Sequence, residues 1–255
     1  MSVLAVLTCL FILCTILIMG KASMYILSGL FLNCLLFLAF LFTLNLGIPV
    51  YLSTVVYVLV NTLITLGYVN GWNEKTKAAF YSMLFFLIIF GIFFVPLIHQ
   101  LAVHGLPPQE MEELAMMNLD IPVRFSDLGV AVLFIGVSGA LIDGSMAIAS
   151  ATSELYHRRE SVQFSELFAS SMTVVRSILN STINTLLFAF ISSGLALIFW
   201  YQDLAVPWQE MIHEKAFVSE ISLIILSGIG VAIILPLASV ITCWYLLKQP
   251  KNQAQ

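Results

Sequence analysis

The stretch from Gly136 to Glu154 reads GVSGALIDGSMAIASATSE, and Asp143 is the one acidic residue well inside its apolar run. Residues three, four and seven apart return to the same side of a helix. Gly136, Gly139, Ala140, Asp143, Ala147, Ser150 and Glu154 therefore share one face. That face is small and carries a carboxylate. Small residues let a second backbone approach closely, and an ionisable group in lipid needs a partner or water. The reading is a membrane-spanning helix with a polar centre.

Composition extends this reading outward from the stretch. Of 255 residues, 60% are hydrophobic and only 9% are charged, against about 25% charged in soluble domains. Mean hydropathy is +1.03. This much apolar surface has no aqueous refuge, so the bilayer is the solvent. The sparse net charge of -4 gives no basis for a nucleic-acid partner.

The expected fold is all-α: a single polytopic transmembrane domain over residues 1–255 with about seven helices. The expected spans are 2–20, 22–46, 48–69, 78–98, 127–151, 177–200 and 218–247. Lys21 follows the first apolar run instead of preceding it, so that run reads as a retained span and not as a cleaved leader. Gly47 and Pro49 turn the chain between the second and third spans. The long connection after the fourth span holds an acidic helix candidate, Gln109 to Asn118. Phe164, Leu167, Phe168, Met172 and Val175 recur at helical spacing and predict a short helix on the membrane surface before the sixth span.

Charges orient this layout. With the N-terminus outside and the C-terminus cytoplasmic, Lys21, Lys75, Lys77, Arg158, Arg159, Arg176, Lys248 and Lys251 lie inside. Arg124 and Lys215 lie outside. Eight of ten basic residues on one side follow the positive-inside rule.

A carboxylate near the bilayer centre costs about 2.5–3.5 kcal/mol on insertion scales, so partners for Asp143 are sought at its own depth. The sixth span presents Arg176, Asn180 and Asn184 within a narrow arc. Asp143, Asn180, Asn184 and Arg176, with Ser150 and Glu154 on the Asp143 face, make up the candidate substrate or ion site. Two uses stay open: a proton or cation site, or a buried polar contact that sets helix register.

Other features point nowhere as firmly. Cys9, Cys14, Cys34 and Cys243 lie singly in apolar runs without ligand spacing. His99 and His104 are five apart, off a shared helix face. Gly228, Gly230 and Pro236 admit either a hinge or close packing in the last span. HExxH, GxSxG and phosphate-loop patterns are missing from the sequence. The expectation is a protein without enzymatic activity, metal or cofactor.

Several ordered motifs resemble the YibE/F-like family of bacterial multispanning membrane proteins. Asn70 to Phe80 is similar to its inner-loop signature, and Gln109 to Leu114 to its acidic outer segment. Gly139 to Asp143, then Ile148 to Ala151 and Glu154-Leu155, resemble its most distinctive motif; Arg176 and Asn184 to Leu186 match its sixth-span pattern. The resemblance runs from Ile48 to Trp200. Val175-Arg176-Ser177 stands where the family usually has Gly-Arg-Asp, so a second carboxylate is missing here. The resemblance implies a multi-pass protein of the bacterial cytoplasmic membrane and a hetero-oligomeric partner, a longer YibE/F-like paralogue. The leading functional expectation is a transporter or permease subunit for a small solute or ion. The alternative is a non-transporting scaffold that assembles with such a paralogue.

Overall fold

A computed structural model describes residues 3–96, 125–158, 163–203 and 206–248. Every regular element among them is helical. In chain order these are α1 (Val3–Met19), a 3-10 turn (Gly20–Ala22), α2 (Ser23–Asn45), α3 (Val50–Thr62) continued by a π-helical segment (Leu63–Val69), and α4 (Glu74–Ile89) continued by another (Phe90–Phe94), then α5 (Phe125–His157), α6 (Phe164–Asp203), the short α7 (Trp208–Met211) and α8 (Lys215–Lys248). The acidic segment Gln109 to Asn118, His99, His104, Arg124, Arg159 and Lys251 lie outside the described residues.

Among the described residues, five stretches suit a membrane crossing by length and apolarity: Val3–Asn45, Val50–Val69, Glu74–Phe93, Asp127–His157 and Phe217–Lys248. This is a multi-helix membrane protein. The first stretch is 43 residues long, about twice the ~20 residues a bilayer needs. Gly20 interrupts it with φ of 54°, a left-handed conformation that costs glycine little and other residues more.

The bundle centres on α8, which packs against α4, α5 and α6. α3 flanks α5, and α2 lies outside α3 as the other arm of a hairpin. Gly47, at φ 76°, and Pro49 make its turn. The hairpin is zipped by a ring contact between Phe37 and Tyr57 at one end and by a 3.0 Å bond shared between the Ser28 and Tyr68 hydroxyls at the other. α1 buries none of its residues.

Two expected boundaries change. α5 continues past Ala151 to His157, so Thr152 to Leu155 are helical and not loop. The surface helix expected at Phe164 to Val175 is the first part of α6, a single helix of 40 residues. Its Leu167, Ser171 and Val175 are buried at 0, 0 and 1% exposure against the bundle. Amphipathic spacing marks a face; it does not say whether lipid or protein covers it.

That burial is polar as well as apolar. The Ser239 hydroxyl on α8 donates to Ser171 on α6 at 2.8 Å, and Ser171 shares a 2.7 Å bond with Thr152 on α5. One buried hydroxyl therefore ties three helices together. Interhelical bonds of this kind contribute about 0.6 kcal/mol each on average in a bilayer. Their weight is in register more than stability, and they fix α5 and α6 side by side.

Glycine supports the packing in the same region. A Cβ on Gly230 would lie 3.4 to 3.5 Å from Val137, Leu141 and Phe86. α8 runs unbroken from Lys215 to Lys248 with Pro236 inside it. Of the two roles open to these residues, Gly230 takes close packing.

Candidate functional site

Asp143 lies in the middle of α5, on a face that the other described residues leave exposed. Gly136, Gly139, Asp143 and Ala147 are exposed, and Ala140 and Ser150 are partly exposed. The opposite face is the buried one: Leu141, Ser145, Ile148 and Thr152 have 0% exposure. The small residues share one side of α5. That side turns away from the protein's own core.

The candidate partners on α6 are exposed too. Arg176, Asn180 and Asn184 stand on its outer side. Among the described residues, none of the three makes a hydrogen bond or ion pair with Asp143. The expected meeting of the fifth and sixth helices does occur, through Thr152 and Ser171. Asp143 is nine residues from Thr152, and Asn180 nine from Ser171. At 3.6 residues per turn, nine residues make about two and a half turns, which puts each polar group on the side of its helix opposite that contact. The helices touch by their inner faces while Asp143, Asn180, Asn184 and Arg176 look outward.

Depth is a separate matter, and here the residues agree. Counted from the Thr152–Ser171 bond along antiparallel helices, Asp143 is level with Asn180, Gly139 with Asn184 and Ala147 with Arg176. Glu154, at the end of the same face, is engaged otherwise: Arg158 Nη2 donates to it at 2.7 Å, one turn along. That exposed pair is a helix-end contact worth roughly 0.3–0.5 kcal/mol.

A second polar position escapes sequence reading. Asp127, in the first turn of α5, is buried and accepts a 2.9 Å hydrogen bond from the Tyr51 hydroxyl on α3. A carboxylate there also suits the positive end of the helix dipole. Below it, Val130, Ala131 and Phe134 follow at helical spacing and line a cavity of about 260 Å³ with Tyr51, Phe90 and Gly91. The backbone of Phe90–Phe94 is π-helical, a geometry frequent at functional positions. Phe90 stacks on Phe134 with centroids 4.1 Å apart. The clue in the sequence is the spacing 127, 130, 131, 134; the partner 76 positions away on α3 has no local signal.

The charged ends of the helices sort by side. Glu74 at the start of α4 meets His157 at the end of α5 at 3.8 Å, so Lys75, Lys77 and Arg158 gather at one end. Lys248 joins them, its ammonium 4.8 Å from the Trp244 ring centre. Tyr81 and Tyr245 add a ring contact beside it, an arrangement suited to a membrane interface.

An apolar helical bundle with several membrane-length helices and one basic end defines a multi-pass membrane protein. The chain belongs to the YibE/F-like protein family, whose model matches residues 7–248. The match extends beyond the Ile48 to Trp200 region that carries the motifs, taking in the first and last helices. Neither the curated proteins nor the solved structures include a match to this chain.

Proposed function

We propose that this protein is a transport subunit of the bacterial cytoplasmic membrane, acting on a small solute or ion through a polar site built around Asp143 and completed on assembly. The observation that carries the proposal is the uncovered Asp143 carboxylate halfway along α5, on a face of small residues. Intramembrane carboxylates rarely face lipid; they face a bundle interior or a water-filled path. A site open on the outside of one subunit becomes interior when another subunit covers it.

The proposed topology has seven crossings with the N-terminus outside. Val3–Asn45, 43 residues, is about 64 Å as one helix, twice the hydrocarbon thickness of about 30 Å. A break at Gly20 beside Lys21 divides it into two spans. The concentration of Lys75, Lys77, Arg158 and Lys248 at one end supports placing that end in the cytoplasm. The sixth crossing is the Asn180 part of α6.

The expected outcome of Asp143→Asn is loss of gradient-driven flux, down to the level of empty liposomes. The amide matches the carboxylate in shape, so the protein should remain folded and assembled. Flux is measured on protein copurified from native membranes and reconstituted, wild type beside variant. Undiminished flux in the variant, or none in the wild type under any ion or solute gradient, contradicts transport through Asp143. The latter result favours the scaffold reading, which the same uncovered face also supports.

A further inference from the structure

We propose that the polar site is formed between two copies of this chain, the Asp143 face of α5 in one docking on the Arg176–Asn180–Asn184 face of α6 in the next. The inference rests on the reading of Asp143 as a site completed on assembly, and it names the partner.

Four observations lead there. Asp143 is uncovered and, among the described residues, has no hydrogen-bond or ion-pair partner. In lipid that costs about 2.5–3.5 kcal/mol or more, so the face is covered in the membrane. The complementary groups are on this same chain: two amides and a guanidinium, all donors, exposed along α6. A carboxylate accepts at up to four positions, which suits such a set. The two faces point away from each other across the α5–α6 pair, so they do not meet among the described residues of one chain.

Register makes the match specific. Copies in one membrane share an orientation, so levels within one chain hold between neighbours. Asp143 then faces Asn180, Gly139 faces Asn184 and Ala147 faces Arg176, with both sets four residues apart. The smallest side chains stand opposite the longer polar ones. A Cβ added at Gly139 meets nothing within 4 Å in its own chain, leaving room for a neighbouring backbone.

The alternative symmetric contact, α5 against α5, sets two Asp143 carboxylates against each other and leaves the α6 donors in lipid. The α5-to-α6 contact is head to tail, and such contacts close into rings when the rotation per subunit allows.

The test uses the full chain with Cys9, Cys14, Cys34 and Cys243 replaced by alanine. One tagged version carries Asp143→Cys and a differently tagged version carries Asn180→Cys; both are expressed in the same cells and oxidised in native membranes. The proposal predicts a disulfide product bearing both tags at twice the 28.2 kDa chain mass, absent when either version is expressed alone. The pair Gly139→Cys with Asn184→Cys repeats the measurement without touching Asp143, should that variant fail to fold. A double variant that closes its disulfide within one chain overturns the proposal. So does capture of the Asp143→Cys version by a different protein, such as a longer family member, or the absence of a mixed-tag product from both pairs. The readout is independent of transport, so a failed flux assay and a failed cross-link remain distinguishable.

Discussion

Gly144→Leu is expected to abolish folded protein. Gly144 is buried on the inner side of α5, and even a Cβ there would come within 2.8 Å of Leu235 Cδ2 on α8. A methyl-sized addition is absorbed by rotating the end of Leu235, so Gly144→Ala costs little by comparison. Leucine adds three more carbons where Leu141, Ile148, Ile234 and Leu235 all have 0% exposure. Overpacking a close-packed core costs about 1–3 kcal/mol and sometimes more, and here α5 and α8 are also held by the hydroxyl junction around Ser171. The measurement is size-exclusion of a fluorescent fusion extracted in mild detergent. The expected trace has the monodisperse peak lost to the void volume for Gly144→Leu and retained for Gly144→Ala. A normal peak for the leucine variant means the α5–α8 contact is looser than the structure shows.

Five residues away, the same substitution should do something different. Gly139→Leu is expected to leave the chain folded, because Gly139 is exposed on α5 and a Cβ there meets nothing within 4 Å. It should instead separate the subunits, since a leucine on the small-residue face holds a neighbouring helix away from Asp143. Helix contacts in lipid depend on close packing more than on hydrophobicity, so there is little to offset the lost approach. The variant is expected to elute as a sharp peak at single-chain size, with unchanged helical content by circular dichroism. A peak at the wild-type position means the Gly139 face is bare or covered only by lipid. Paired with Gly144→Leu, it separates a face that builds the chain from one that builds the assembly.

The difference between these two glycines marks how far the sequence can be read. The Gly136-to-Glu154 period groups Gly139 with Asp143, both exposed, and sets the buried Gly144 apart. Periodicity defines a face without naming what covers it, so sequence alone pairs Asp143 with Asn180 and Asn184 inside the chain. Depth is legible because it depends only on counting residues from the helix ends. Direction is not, because it depends on which side of α5 holds Thr152 and its bond to Ser171.

The same limit explains α6. Leu167, Met172 and Val175 have the spacing of a surface helix, and burial by α5 and α8 gives the identical pattern. Serine and threonine carry even less signal. Thr152, Ser171 and Ser239 meet in the core, yet hydroxyls occur on every side of membrane helices, where they bond their own backbone. Thr54 and Thr62 do so, to the carbonyls of Val50 and Val58. The Tyr51–Asp127 pair needs the tertiary fold to bring α3 to the start of α5.

If a second copy of the chain covers the Asp143 face, the protein leaves the membrane as an oligomer of itself. The most direct measurement is the mass of the wild-type complex released from native membranes in nanodiscs, by native mass spectrometry. The expected protein mass is a whole-number multiple, two or more, of the 28.2 kDa chain. A protein mass of one chain, or of one chain with an unrelated partner, would contradict it.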